Sequence, residues 1–316
     1  MKKLLSVLVV FTMLITMLTG CGNNKKTIGI IQFGSHASLN NCYDGIIKGL
    51  EESGINLDDY NVEYVNSNFD PSVSQTQANN LVNKNAEVIL AIATPSAVAA
   101  ANAAADSGIP VVYCAITDST VMQNYENVTG SSDIPNFEKQ LEVVTTVMGK
   151  SDLKIGVLYS TEESSSPVQV ANLKEAAKKY SGMEIISSAV ADITTIDTKT
   201  NDLINQGVDC FVNLLDNTIV GKLESNILPI TNEKNIPIFG SEIEQVKLGC
   251  AASASIEYVD VGRAAGESAA KILNGTKASD IPVSYITEPQ VFYNSDVCAQ
   301  FGLNAPTELN ATNVVE

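Results

Sequence analysis

The fold is decided by an apolar strand sequence that occurs twice in the chain. Residues 27–33 read Thr-Ile-Gly-Ile-Ile-Gln-Phe, and residues 154–159 read Lys-Ile-Gly-Val-Leu-Tyr. Further short apolar runs alternate with helical segments of about ten to fifteen residues, which is typical of βαβ units in a parallel sheet. The second copy repeats the order of the first over about ninety residues. The sequence therefore predicts two α/β halves rather than a solenoid, because the period is about 125 residues.

The tail of the chain does not fit a simple tandem repeat. A strand at 251–256, a helix at 259–273 and strands at 283–287 and 291–294 follow the second half. One helix with flanking strands suggests that the chain returns to the first lobe and then crosses back, which makes a hinge. We therefore predict two doubly wound parallel-sheet lobes joined by three chain crossings. The predicted N-terminal lobe is 27–131 plus 256–284, and the C-terminal lobe is 132–255 plus 285–316.

Residues 1–20 are predicted to be a lipoprotein signal peptide. A lysine-containing start precedes an apolar run of about fifteen residues, which is shorter than the roughly 20 needed to cross a bilayer as a helix. Leu18-Thr19-Gly20-Cys21 looks like a bacterial lipoprotein processing site. Because two acyl chains hold a protein stably, we expect a diacyl anchor at Cys21, a tether over 21–26 and a location on the outer face of the cell membrane. An uncleaved membrane anchor is the alternative.

Composition and charge exclude several classes of protein. The net charge of −17 argues against a nucleic-acid partner, and 45% apolar residues indicate a folded globule. The chain has no P-loop, nucleophile elbow or dinucleotide fingerprint and only one histidine, so we expect neither an enzyme nor a cofactor. No cysteine pair has metal-ligand spacing, and we expect no metal. Apart from Cys21 the chain has five cysteines, an odd number, so they cannot all pair within one chain; they are Cys42, Cys114, Cys210, Cys250 and Cys298. Cys114 and Cys210 have apolar neighbours, which indicates small buried residues rather than a disulfide framework.

Polar residues follow the predicted strands at their carboxyl ends, where open parallel sheets bind ligands. Helix N-termini at these positions suit a carboxylate, and acidic side chains such as Asp216 or Glu242 suit an amine, so the set predicts a zwitterionic ligand. Ser96, Thr117 and Asp118 are equally explained as helix caps. The candidate ligand-binding residues are Gln32, His36, Ser38, Thr94, Ser96, Thr117, Asp118, Tyr159, Ser164, Ser165, Asp216, Asn217 and Glu242.

Several stretches together resemble the ABC-transporter substrate-binding family of the tryptophan/tyrosine-binding type. The resemblance implies the type I periplasmic-binding-protein fold, an ABC permease and ATPase as partners, and a ligand that is often an aromatic amino acid. It places ligand contacts on the same strand-end loops. The stretches are residues 28–39, 91–97, 115–118, 128–133, 216–220 and 262–266.

The resulting hypothesis is a monomeric, extracytoplasmic solute-binding protein that captures an aromatic or large apolar L-amino acid by hinge closure. A sugar or nucleoside ligand stays open as an alternative, although the chain has no Trp and only 6% aromatic residues for stacking on a sugar. A sensor that presents its ligand to a membrane receptor also stays open.

Overall fold

The computed structural model describes residues 25–286 and 288–315. The predicted signal peptide, Cys21 and most of the predicted tether lie outside the described residues. Within them, no helix combines the length and the apolar character needed to cross a membrane.

The described part of the chain alternates strands and helices almost throughout. The strands are β1 (Lys26–Gln32), β2 (Tyr60–Asn66), β3 (Val88–Ile92), β4 (Val111–Ile116), β5 (Val128–Ser132), β6 (Lys154–Ser160), β7 (Glu184–Val190), β8 (Cys210–Val212), β9 (Ile238–Phe239), β10 (Ala252–Ser255), β11 (Ser284–Tyr285), β12 (Gln290–Tyr293) and β13 (Thr312–Asn313). The α-helices are α1 (Ala37–Glu52), α2 (Pro71–Asn83), α3 (Thr94–Ala104), α4 (Phe137–Met148), α5 (Ser165–Ala177), α6 (Ile196–Asn205), α7 (Asn217–Val220), α8 (Leu228–Glu233), α9 (Ile243–Leu248), α10 (Tyr258–Leu273) and α11 (Ser295–Phe301).

The N-terminal lobe is a parallel sheet with helices on both faces. Its strand order is β11-β5-β4-β3-β1-β2, and every pairing is parallel. Alternate strand residues face opposite sides: Ile30 and Leu90 pack with α1 and α10, whereas Ile31 and Ile89 pack with α2 and α3. This alternation explains the continuous apolar runs, because a parallel strand covered on both faces has no solvent side.

Glycines let α10 lie directly against α1. A Cβ atom on Gly262 would lie 2.1 Å from the carbonyl oxygen of Cys42, and one on Gly266 would lie 2.3 Å from that of Ile46. Gly49 of α1 meets the carbonyl oxygen of Arg263 in the same way, at 2.3 Å. The two backbones therefore touch, and this contact holds the returning segment of the chain in the first lobe.

The C-terminal lobe repeats the winding of the first. Its sheet has the order β7-β6-β8-β9 with parallel pairings, so the first strand of each half lies between the second and the third. Strand β10 continues from β9 through a hydrogen bond from the Gly240 amide to the Ala252 carbonyl at 3.0 Å. β10 then pairs antiparallel with β12, and β12 pairs parallel with β13.

Within the described residues, the chain passes from one lobe to the other three times, at residues 133–136, at residues 256–257 and between the end of β11 and the start of β12. The predicted α/β fold with two parallel-sheet lobes is thus confirmed. The antiparallel strand β12 is the departure from strictly parallel pairing, and it arises because the third crossing reverses the direction of the chain.

Candidate functional site

A cleft lies between the lobes, where the carboxyl ends of the strands of both sheets face each other. It contains about 370 Å³ of space not filled by protein atoms, including the part that opens to solvent. The lining residues are His36, Ser38, Leu39, Thr94, Ala115, Thr117, Asp133, Ser165, Leu215, Asp216, Asn217, Val220, Glu242, Gln245 and Tyr258.

Eight of the thirteen candidate residues from the sequence line this cleft. They come from both lobes, as expected for strand-end loops that face each other. Their contact with a ligand stays a prediction. The eight are His36, Ser38, Thr94, Thr117, Ser165, Asp216, Asn217 and Glu242.

Two other candidates are buried and do not line the cleft. Gln32 donates from Nε2 to the carbonyl oxygen of Gly34 at 2.7 Å and to Asn40 Oδ1 at 2.8 Å. Gln32 therefore shapes the loop that leads into α1. Ser96 is fully buried, with its Oγ 3.4 Å from Ser74 Oγ, and so links α3 to α2.

The remaining three candidates are also outside the lining. Asp118 Oδ1 accepts a hydrogen bond from the Thr120 amide at 3.0 Å, the capping arrangement that the sequence left open. Tyr159 packs against the core of the C-terminal lobe, since alternate residues of β6 face opposite sides of the sheet. Ser164 is exposed just before α5, whereas Ser165, the first residue of that helix, is buried in the cleft.

Asp133, at the first crossing between the lobes, supplies a carboxyl group to the side of the cleft formed by the N-terminal lobe. It is 3% exposed and accepts hydrogen bonds from Tyr258 Oη at 2.7 Å and Thr117 Oγ1 at 3.1 Å. Burial raises its pKa despite these two donors. The strand-end rule would have found Asp133, which directly follows β5. No sequence pattern indicates Tyr258, which reaches the site only because the chain returns to the first lobe.

Asp216 organises the cleft side of the C-terminal lobe. Its Oδ2 accepts from the Ser160 amide at 2.6 Å and from Ser166 Oγ at 2.7 Å, and its Oδ1 caps α7 through the Ile219 amide at 3.0 Å. Asp216 thus joins β6, α5 and α7. Because it is fully buried, its pKa is raised despite these donors.

Glu163, a residue that the sequence analysis did not select, lies beside Asp216. Burial and the negative charge of Asp216 raise the pKa of Glu163 to about 8. Its Oε1 accepts from the Thr218 amide at 2.7 Å, and its Oε2 accepts from Asn217 Nδ2 at 2.9 Å. At neutral pH this neighbouring pair therefore tends to hold a proton.

Glu242 supplies a third carboxyl group from the C-terminal lobe. It is 2% exposed, and its Oε2 caps α9 by accepting from the Glu244 amide at 2.8 Å. Burial raises its pKa to about 7. Close by, Asn41 of the N-terminal lobe donates from Nδ2 to Glu244 Oε1 at 3.2 Å, one of the hydrogen bonds that join the lobes.

His36 forms a second hydrogen bond between the lobes. Its Nε2 is 3.1 Å from Asn217 Oδ1, and its ring is stacked against Phe69 with centroids 6.3 Å apart. Phe69 in turn lies against Gly221 of the C-terminal lobe. Burial lowers the pKa of His36, so its imidazole is neutral at pH 7.

Two buried polar atoms of the lining, His36 Nδ1 and Ser165 Oγ, have no hydrogen-bond partner among residues 25–286 and 288–315. A third, Ser38 Oγ, lies beside Glu242, and its hydrogen bond to that carboxyl group partly offsets the rise in pKa that burial causes. Each belongs to the N-terminal end of α1 or α5, where free backbone N–H groups and the helix dipole favour an anion. The lining contains no lysine or arginine, and no group of residues suited to a metal ion occurs in the described part of the chain.

Two strand tips adopt backbone conformations that alanine rarely takes. Ala93 has φ 73° directly after β3. Ala115 has φ 56° and lies where the register between β4 and β5 shifts. Left-handed conformations of this kind cost about 1–3 kcal/mol and cluster at functional sites. Here they precede Thr94 and Thr117 at the cleft.

Comparisons with known proteins place the chain in a defined family. Residues 27–314 match the family described as ABC transporter substrate binding protein. The chain is 32% identical to a protein named tyrosine-binding protein from Clostridioides difficile strain R20291, over 99% of this chain and 95% of that protein.

Two solved structures have similar sequence identity to this chain but superpose on it to different extents. An ABC domain from Streptococcus pneumoniae in complex with L-Trp is 30% identical and superposes with a TM-score of 0.85, covering 92% of this chain and all of that one. A ligand-free, open substrate-binding protein with adhesive properties from Clostridium difficile is 31% identical, with a TM-score of 0.68 over 92% and 99% of the two chains. The lobes are therefore arranged more as in the L-Trp complex than as in the ligand-free, open structure.

Proposed function

The chain belongs to the family of ABC transporter substrate-binding proteins, and on that premise we propose that it captures an aromatic L-amino acid outside the cell. The captured ligand is delivered to the permease and ATPase of an ABC importer. The protein carries out no chemical step, since its task is to bind, enclose and present a solute.

The single observation that carries the proposal is the set of unpartnered polar atoms between the lobes. His36 Nδ1 and Ser165 Oγ have no partner there and come from opposite lobes, at the starts of α1 and α5. A ligand carboxylate at the start of α5 accepts a hydrogen bond from Ser165 Oγ and faces the positive end of that helix. Without a ligand, a buried polar group of this kind costs about 1–3 kcal/mol.

The other pole of the ligand is matched by acidic groups. Asp133, Asp216 and Glu242 line the cleft from both lobes, with no basic side chain in the lining to neutralise them. A ligand ammonium group supplies the missing positive charge. This pairing favours a zwitterion over a neutral sugar, because a neutral sugar brings no positive charge that would stabilise the ionised forms of these carboxyl groups.

An aromatic side chain is supported by the apolar part of the lining and by the relatives. Leu39, Ala115, Leu215 and Val220 contribute apolar surface between the polar groups. The C. difficile relative is named for tyrosine, and the S. pneumoniae structure holds L-Trp. We propose the same ligand class here.

Closure of the lobes follows from contacts that exist only when they are together. His36–Asn217 and Asn41–Glu244 are hydrogen bonds between lobes, and Leu215 packs against the apolar core of the N-terminal lobe. A ligand that contacts both lobes adds to these interactions and shifts the population towards the closed form.

Binding is tested by thermal unfolding and titration calorimetry with the twenty amino acids, a hexose and a nucleoside. We expect aromatic L-amino acids to raise the melting temperature, since free ligand at ten times Kd adds about 1.4 kcal/mol of stability. D-tyrosine serves as the matched control for placement of the two charged groups. Stabilisation by the sugar or nucleoside alone would reject the amino-acid proposal.

The importer and anchor parts need experiments in cells. We propose that Cys21 is acylated and holds the protein on the outer face of the cell membrane, so Cys21→Ser should move it from the membrane fraction to the medium. Deletion of the gene should reduce uptake of the radiolabelled ligand. Unchanged uptake together with tight binding would favour a ligand-presenting sensor instead.

A further inference from the structure

The hydrogen-bond chain across the lobe boundary fixes where His36 carries its proton. Glu163 Oε1 accepts from both the amide and the hydroxyl group of Thr218, at 2.7 and 3.0 Å. Its Oε2 accepts a hydrogen bond from Asn217 Nδ2 at 2.9 Å. Asn217 therefore donates with its amide nitrogen, and its carbonyl oxygen is left to face His36.

A carbonyl oxygen only accepts, so the ring nitrogen of His36 that lies 3.1 Å from Asn217 Oδ1 is the protonated one. In a neutral imidazole with its hydrogen on Nε2, Nδ1 carries a lone pair and accepts hydrogen bonds. This Nδ1 is buried and has no partner among the residues that the structure describes. A hydrogen-bond donor of the ligand can therefore fill this position.

The groups around the ring favour a cationic donor. Asp216 comes from the C-terminal lobe at the start of α7, Glu163 from the turn before α5, and Glu242 from the cap of α9. Phe69 covers one face of the ring, and the lining supplies no basic side chain. An ammonium group on Nδ1 thus shares the cleft with Asp216 and Glu242 and with no basic side chain of the lining.

We propose that His36 is a specificity-determining residue: Asn217 and Glu163 hold it as the Nε2–H tautomer, and its Nδ1 accepts a hydrogen bond from the ligand's ammonium group. This inference deepens the proposed amino-acid function and rests on it. Glu163 and Asn217 act as positioning residues that set the direction of the hydrogen bonds from the opposite lobe.

The tautomer can be read directly, because His36 is the single histidine of the chain. Protein without a histidine tag is labelled with ¹⁵N-histidine, and the two ring nitrogens are observed by NMR at pH 7.5 with saturating L-tyrosine. We expect a protonated Nε2 and an unprotonated Nδ1 whose resonance moves on ligand addition in the direction of an accepted hydrogen bond. A protonated Nδ1, or an Nδ1 resonance that does not respond to bound ligand, would overturn the proposal.

Glu163→Gln tests the direction of the hydrogen bonds that run from Glu163 through Asn217 to His36. The new amide still accepts from Thr218 with its oxygen but presents N–H to Asn217, so the Asn217 amide turns its Nδ2 towards His36. We expect the proton of His36 to move to Nδ1 and the affinity for L-tyrosine to fall at least tenfold. Unchanged tautomer and affinity would show that Glu163 does not position His36.

The ligand group is identified with His36→Phe, which keeps a ring against Phe69 but removes both nitrogens. Binding of L-tyrosine is compared with that of 3-(4-hydroxyphenyl)propanoate, which lacks the ammonium group, and of L-phenylalanine, which lacks the phenol. We expect the preference for L-tyrosine over the propanoate to shrink by about tenfold to a hundredfold, as for a hydrogen bond to a charged group. Asn41→Ala removes the Asn41–Glu244 hydrogen bond between the lobes. It should lower the affinity for L-tyrosine and for the propanoate by the same factor.

Each outcome has one interpretation. If no amino acid binds the wild-type protein, the proposed function fails. If L-tyrosine binds and its preference over the propanoate survives in His36→Phe, the function stands and the assignment of His36 falls. If the preference over L-phenylalanine collapses instead, the donor is the phenol, and the ammonium assignment is wrong.

Discussion

Glu242→Gln should hold the ligand-free protein closed at alkaline pH. In the closed arrangement Glu242 is 2% exposed, and burial raises the pKa of its carboxyl group from 4.5 to about 7. It lines the cleft together with residues of the opposite lobe, so separation of the lobes returns it to water and to its ordinary pKa. A group with a raised pKa stabilises the closed form below pH 4.5, and that stabilisation is lost as the pH rises through about 7.

The size of the effect follows from the two pKa values. At about 1.4 kcal/mol for each pKa unit, ionisation of Glu242 disfavours the closed form by roughly 3 kcal/mol above pH 7. Such a difference changes the ratio of closed to open molecules by roughly a hundredfold. Glutamine removes the charge, and its side-chain oxygen can still accept from the Glu244 amide.

Small-angle scattering, or spin-label distances between the lobes, measures the change in ligand-free protein at pH 5.5 and 8. We expect the wild type to open at the higher pH and Glu242→Gln to stay closed at both. Glu224→Gln, at an exposed position of the C-terminal lobe, should follow the wild type. Identical pH dependence in Glu242→Gln and wild type would refute the role of this carboxyl group. The same variant should bind aromatic amino acids more weakly, because the ammonium group loses a negative partner.

Further predictions concern individual contacts. Ser165→Ala should weaken amino-acid binding by about 2- to 10-fold in calorimetry without lowering the melting temperature of the ligand-free protein, since its hydroxyl group has no partner among the described residues. Gly266→Ala should lower the free energy of unfolding in urea by about 1–3 kcal/mol, because the new Cβ meets the Ile46 carbonyl at 2.3 Å. Lys271→Ala on the exposed face of the same helix should change it by no more than about 0.5 kcal/mol. Cys42, Cys114, Cys210, Cys250 and Cys298 are all buried and should react with iodoacetamide only after unfolding, as read by mass spectrometry.

The fold was predictable because its determinants are local. Strands buried on both faces appear in the sequence as short apolar runs, and the repeated 27–33 and 154–159 stretches indicate two halves of one plan. The contact of Gly262 and Gly266 with α1 was not predictable, since nothing in the sequence says which helix a glycine face will meet. β13 pairs over only two residues, a length at which periodicity carries no signal.

The site was predictable to the extent that it consists of strand ends. That rule found His36, Asp216 and Glu242, whose positions depend only on where a strand stops. It also placed Tyr159 and Ser164 at the site, but Tyr159 faces the core of the C-terminal lobe, and α5 begins one residue after Ser164. A shift of one residue at a helix start changes which side chain enters the cleft, and no sequence pattern resolves it.

Selectivity and closure draw on the same atoms. When the lobes are together, Ser165 Oγ and His36 Nδ1 are buried without partners among the described residues, and the lining holds carboxyl groups but no basic side chain. Unsatisfied groups of this kind cost about 1–3 kcal/mol each, so a ligand that satisfies them stabilises the closed form by a comparable amount. A ligand with only a carboxylate or only an amine satisfies part of this set, and a zwitterion satisfies both parts. The fraction of closed molecules therefore rises most when a zwitterionic ligand is bound.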